Sequence, residues 1–143
     1  MSEHIRMLRV AILGPVNTTR RDEEAGQFAN VRRMVRVANA ILRLGCVPNV
    51  PALCSFWHMI EPLPRSVWVE ISRNEILRSD ACFRMDGPSS GSEQEIEFAE
   101  ESGIPVFYSL EELADWSRKK DPSNFVARQW AASMFDGFER GDL

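Results

Sequence analysis

Two glycine-bearing stretches hold most of the residues in this chain that could do chemistry. The first is Gly14-Pro15-Val16-Asn17-Thr18-Thr19-Arg20-Arg21, and the second is Asp86-Gly87-Pro88-Ser89-Ser90-Gly91-Ser92-Glu93-Gln94-Glu95. Glycine lets a backbone approach a ligand closely, while serine hydroxyls and the free N–H groups at a helix start receive phosphate or sugar oxygens. Neither stretch carries GxxxxGK[ST], and the first lacks GxGxxG, which argues against an NTPase and against a dinucleotide oxidoreductase. A Gly/Ser turn ahead of a helix is commonly no more than a turn and a cap. Glu95, four residues after Gly91, raises the second stretch above that. The spacing predicts it in the first turn of the following helix, where a carboxylate facing the crevice can attack an anomeric carbon. Glu93, Glu95, Glu97 and Glu100 also suit a helix N-terminal half through the dipole, and spacing alone does not separate the two roles.

The elements that position these loops are legible in outline. Met7 to Leu13 is a short apolar run stopped by Gly14-Pro15 and reads as a buried first strand. VNTTRRDEEAGQ has no apolar period, so Asn30 is the N-cap candidate for a helix in which Val31, Met34, Val35, Ala38, Ile41 and Leu42 recur at helical spacing and Gly45 ends the run. Cys46 to Val50 makes a second strand. ALCSFWHMIEPLPRS reads as a long loop over a pocket, and Ser66 as the cap of a helix through VWVEISRNEILRS. Ala81 to Met85 gives a third strand, a helix ending at Gly103 follows the second loop, IPVFYS is a fourth strand and LEELADWSRKK a helix. This alternation predicts an α/β chain, a mostly parallel sheet of four to five strands with helices on both faces. Residues 1–120 then form the domain and 121–143 a helical tail. In that tail Phe125, Val126, Trp130, Met134 and Phe138 are expected along one stripe, buried on the parent domain or in a subunit contact.

The 143 residues, 44% hydrophobic and 27% charged, fit one ordinary globular domain. A net charge of -4 lacks the electrostatic footprint of a nucleic-acid polymer binder but leaves small anionic ligands open. No apolar run approaches the roughly 18 to 20 residues that span a bilayer, and the charged start MSEHIRMLRV is unlike a signal peptide, so no membrane partner and a cytoplasmic location are expected. Three cysteines, Cys46, Cys54 and Cys82, suit reduced buried thiols better than a disulfide frame or a zinc site, and the histidines His4 and His58 make no HExxH pair. No metal and no cofactor are expected.

Taken in order, several of these pieces carry a family likeness. Gly14-Pro15, Asn30 with Ala38, Gly45-Cys46-Val47-Pro48-Asn49-Val50-Pro51, Ser79-Asp80-Ala81, Ser89-Ser90-Gly91-Ser92-Glu93-Gln94-Glu95 and Gly103-Ile104-Pro105-Val106 together resemble the nucleoside 2-deoxyribosyltransferase-like superfamily, over roughly the first 110 residues. The resemblance implies a flavodoxin-like sheet and cleavage of the N-glycosidic bond of a nucleoside or nucleotide. It assigns the nucleophile to Glu95, and its Pro-Ser start is similar to the branch that hydrolyses nucleoside 5'-monophosphates, which gives Ser89 a phosphate contact. The family commonly has Tyr where this chain has Ala11 and Asp where it has Ser72, and the neighbouring Glu70, or Asp86 at the end of strand three, are the candidates to substitute. Related proteins tend to complete their pockets with a neighbouring subunit, so a homodimer or higher homo-oligomer is implied.

Breaking a C1'–N bond passes through an oxocarbenium-like state, so one carboxylate must meet C1' and a second group must protonate the departing base. Glu95 takes the first role and Asp86 the second, with Gly14, Pro15, Asn17, Arg20, Ser89, Ser90 and Gly91 lining the ligand. Phe56, Trp57 and His58 can stack on the base or simply pack their loop down, and Arg20 and Arg21 can meet phosphate or stay solvated. The alternative class is a nucleotide-binding or sensing module of the same fold without catalysis. A flavin protein is disfavoured because the first loop lacks a Ser/Thr- and Gly-rich phosphate cradle.

Overall fold

A computed structural model of the chain describes residues 4–15, 24–87 and 89–141. Four short strands, β1 (Leu8–Leu13), β2 (Cys46–Asn49), β3 (Ala81–Arg84) and β4 (Val106–Phe107), pair in the order β2-β1-β3-β4, all parallel. Parallel neighbours cannot be joined by a tight hairpin, and the connections accordingly carry helices. These are α1 (Glu24–Arg43), α2 (Cys54–Ile60), α3 (Arg65–Leu77), α4 (Ser90–Glu101), α5 (Leu110–Lys120) and α6 (Asn124–Glu139).

Side chains alternate across the sheet, and each face has its own core. Val10, Ile12, Ala81 and Phe83 pack with Met34, Ala38 and Ile41 of α1 and Leu113 of α5. Ala11, Leu13 and Cys82 pack on the opposite face with Ile76 of α3 and Ala99 of α4. The result is the expected three-layer α/β sandwich of flavodoxin-like kind, with four strands. Pro48 is tolerated in β2 because that strand lies at the sheet edge.

Several boundaries depart from the sequence reading. Helix α1 begins at Glu24 rather than after Asn30, which lies inside it, because Glu, Ala and Gln are helix formers even without an apolar period. The segment read as a long loop contains a 3-10 turn, Pro51–Leu53, and the whole of α2. Ser66 does not cap α3; the helix starts at Arg65 from an extended Pro64 with no side-chain cap. The edge strand β4 is only two residues long. Among the described residues no helix is long and apolar enough to cross a membrane.

Helix α6 docks on its own chain, but not through its large residues. Asn124, Ala127, Ala131 and Gly137 form the buried face, while Val126, Trp130, Met134 and Phe138 make an exposed ridge spaced by four. Phe125 is also exposed, and at about 100° per residue it sits away from that ridge, so the five residues do not form one stripe. Small residues win the contact because the seat is tight. Gly45, which ends α1 at φ +80, would place a Cβ 2.9 Å from the backbone N of Arg128 and 3.0 Å from Ala127 Cβ. Asn124 donates from its amide to the carbonyls of Leu44 (3.1 Å) and Gly45 (3.3 Å). Arg43 adds an exposed ion pair to Glu139 at 3.1 Å and lies 4.4 Å over the Phe135 ring.

Gly45 thus meets two demands, a left-handed backbone and close approach of α6, whereas Gly103 (φ +76) has open space where its Cβ would be. Gly103→Ala should cost about 1 kcal/mol from backbone strain alone, and Gly45→Ala about 3 kcal/mol because overpacking is added. Urea unfolding of the two variants reads the difference, and equal losses would refute the tight α6 seat.

Candidate functional site

From β1 the chain crosses to β2 on one side and later to β3 on the other, so the strand order reverses between β1 and β3. In an open parallel sheet the crevice for a ligand lies at the carboxyl ends of the strands flanking that reversal. Both glycine-bearing loops leave from there. The amide of Met85 donates to Leu13 O at 2.8 Å and carries the pairing one residue past β3. A Cβ on Gly14 would stand 3.0 Å from Met85 Cβ, and one on Gly87, at φ +117, would stand 3.0 Å from Pro15 Cγ. These two glycines, and the buried Pro15, therefore serve the close approach of one loop to the other. Asn17 and Arg20, with the rest of residues 16–23, lie outside the described residues.

The second loop feeds α4 through Ser89, whose Oγ accepts from the Ser92 amide at 3.2 Å. As the N-cap it still has its hydroxyl hydrogen to donate. Ser90 is the first residue of α4, and a Cβ at Gly91 would meet nothing within 4 Å among the described residues.

Because the helix starts at Ser90, Glu95 falls in its second turn rather than its first. There it is largely withdrawn from water, which pushes its carboxyl pKa above the ordinary value. A hydrogen bond donated by the Ser72 hydroxyl from α3, and the positive charge of Arg84, pull it back part of the way. Cys82 lies close enough for the charge on Glu95 to act on it; burial first and that charge second push the thiol up to about 12, so it stays protonated and is no nucleophile.

Arg84 is the residue that sequence reasoning missed. It closes β3, is only 8% exposed, and donates to the carbonyls of Met85 and, at 2.7 Å, Gly87. The signal was present: an arginine inside ACFRM, in a strand otherwise read as buried, must be satisfied by fixed partners because a bare charge is costly there. Its guanidinium holds the backbone after β3 and supplies the positive potential felt by Glu95.

Asp86 is exposed and does not join Ser72 and Cys82 around Glu95. It lines a hollow on the α1 side with Arg33, Arg36 and Tyr108, and its backbone carbonyl accepts from Arg33 Nη2 at 3.0 Å. Glu70 is exposed on an outer groove of α3, where Asn74 donates to it at 3.3 Å. Trp57 and His58 of α2 pack against Trp68 of α3. Nδ1 of His58 accepts from Trp68 Nε1 at 2.9 Å and from the Leu63 amide at 3.2 Å, and the Trp57 and Trp68 rings meet edge to face at 5.2 Å. His58 is thus a structural tie between the two helices. Cys46, Cys54 and Cys82 are all free, and among the described residues no group of three or more His, Cys, Asp or Glu could hold a metal ion.

The raised pKa of Glu95 has a stability consequence of definite sign. A carboxyl harder to ionise when folded costs nothing below its unfolded value of 4.5, and penalises the native state increasingly as pH rises from there through the folded value. Glu95→Gln, which keeps an acceptor for Ser72, should therefore stabilise the protein near pH 7, with the gain vanishing at pH 4. Urea midpoints at the two pH values test this, and a gain of equal size at both would refute the ionisation account.

Compared with known families the chain matches no family model, and no curated protein matches it. The fold and the geometry at the β1–β3 reversal carry the functional reading.

Proposed function

We propose that this chain cleaves the N-glycosidic bond of a nucleoside 5'-monophosphate or nucleoside, by hydrolysis or transfer, with Glu95 as nucleophile at C1'. The observation that carries the reading is a carboxylate set at the strand-order reversal, withdrawn from water yet held by Ser72 and Arg84. Burial makes that oxygen more basic than a solvated one, while the hydroxyl and the guanidinium favour its ionised form. Glu95 attacks C1', the C1'–N pair leaves with the base, and the base nitrogen takes a proton from an acid or from solvent. Water, or an acceptor base, then displaces the glutamyl ester and frees the carboxylate. Asp86 is the acid candidate, from the exposed turn after β3. Ser89 donates its free hydroxyl hydrogen to the 5'-phosphate at the start of α4.

The family likeness supports this reading at one point in space. Ser72, at the position where that superfamily carries Asp, is the residue that hydrogen-bonds Glu95. The same departure favours the second reading, a nucleotide-binding module without turnover. Ser72 offers a hydroxyl where the family has a carboxylate, and Ala11, buried on β1 opposite Cys82, offers no hydroxyl at all.

A homo-oligomer belongs to the same proposal. The ridge Val126, Trp130, Met134 and Phe138 remains exposed, Phe138 to 71%, after α6 has docked through its small residues. A second copy covers this ridge.

Incubation with a panel of nucleosides and nucleoside 5'-monophosphates should release free base, detected by chromatography. Glu95→Gln should lower that release by at least about 10³-fold without loss of fold. Saturable nucleotide binding without base release by the wild type would select the binding-module reading, and unchanged turnover in Glu95→Gln would remove Glu95 from the chemistry. In light scattering the wild type should run as a dimer or larger and Trp130→Asp with Met134→Asp as a 16.3 kDa monomer; a monomeric wild type excludes the oligomer.

A further inference from the structure

The hollow on the α1 side of the β3 end shares Asp86 and Arg84 with the site proposed above, and the rest of its lining is unlike ordinary surface. It holds about 270 Å³, enough for a phosphate group and part of the ligand that carries it. Arg33 and Arg36 stand three residues apart on α1 and so share one face of the helix. Neither forms an ion pair among the described residues: Arg33 gives one bond to the Asp86 carbonyl, and Arg36 has no hydrogen-bond partner there. Across from them Tyr108, an exposed residue beyond β4 whose hydroxyl has no hydrogen-bond partner among the described residues, stands over a floor of Val37, Phe83 and Met85. The Asp86 carboxylate also lines the hollow and opposes an anion, so two guanidinium groups without an ion pair among the described residues face one negative charge. Arg84 lines it as well, with two of its N–H donors given to the carbonyls of Met85 and Gly87. The charge of the same Arg84 also acts on Glu95.

We infer that this hollow is a phosphate-binding subsite, with Arg33 and Arg36 as its cationic donors and the Tyr108 hydroxyl as a third. Guanidinium forks match tetrahedral oxyanions and bind them by charge-assisted hydrogen bonds. The site is distinct from the Ser89 end of α4. Its phosphate comes either from a second phosphate of a nucleotide or from a free phosphate ion. The first source rests on the nucleotide reading above; the subsite itself rests only on the hollow.

Titration of the full-length protein with inorganic phosphate, followed by calorimetry or amide NMR, tests the subsite. Saturable binding is expected, weakened about tenfold in Arg36→Ala and further in the double variant Arg33→Ala with Arg36→Ala. Arg32→Ala, which removes the same charge from α1 outside the hollow, should leave binding unchanged, as should Glu95→Gln. All four positions are solvent-facing or conservatively changed, and circular dichroism checks their fold. Competition then separates the sources. If a nucleoside diphosphate binds more tightly than its monophosphate, and Arg36→Ala erases that preference, the ligand supplies the phosphate. If both nucleotides bind alike, or neither binds, while phosphate still depends on Arg36, the subsite takes the free ion. Absence of saturable phosphate binding, or equal binding by the wild type and the double variant, overturns the proposal whatever the fate of the glycosidase reading.

Discussion

Between β1 and β3 the ladder runs from Val10 against Ala81 to Leu13 against Arg84, and these are the two strands with a neighbour on either side and helices over both faces. A strand so enclosed has no solvent for its backbone groups, so its hydrogen bonds must be made within the sheet, and its register cannot slip without turning core residues outward. That fixed register sets where both glycine-bearing loops begin. It brings Gly14 against Met85 and Pro15 against Gly87, and it delivers Arg84 to the end of β3 with its guanidinium under the turn. Every candidate group is measured from this pair of strand ends.

The electrostatics at that end form a balance of unlike costs. Burying Glu95 disfavours its charge, and burying Arg84 would do the same without fixed partners. The guanidinium is satisfied first by backbone carbonyls, and only its residual potential reaches Glu95. The carboxylate in turn relies on Ser72, a neutral donor, rather than on a direct ion pair. An acid held this way is more basic than one in a salt bridge, which is the property a nucleophile at an anomeric carbon needs. Burial pushes two thiols up as well, Cys46 to about 11 and Cys82 to about 12, so both stay protonated.

The far end of the molecule obeys a steric constraint instead. Gly45 must be left-handed to end α1, and α6 uses the space that its missing side chain leaves. Asn124 and Ala127 lie against that glycine, Ala131 and Gly137 continue the buried face, and the helix turns its larger apolar residues outward. Exposure of Trp130 and Met134 is thus a consequence of how closely the helix docks on its own chain.

Much of this was present in the sequence because it depends on short-range physics. Apolar runs cut by Gly14-Pro15 and by Asp86-Gly87 mark buried strands, the 3.6-residue period of Met34, Ala38 and Ile41 marks the inner face of α1, and Gly45 and Gly103 stop their helices through a backbone geometry that favours glycine. The parallel, helix-covered sheet followed from the order of those elements. Glu95 was legible as a residue near a helix start, but its turn was misplaced, because Ser89 rather than a later residue caps α4. Tertiary structure alone decided the rest. That Ser72 donates to Glu95, that Arg84 is spent on two carbonyls, that Asp86 joins Arg33 and Arg36 instead of Glu95, and that α6 buries its small face are all contacts between segments far apart in the chain. Local pattern fixes what a segment becomes; the cost of burying each charge, and the room left for each side chain, exists only after the segments have packed.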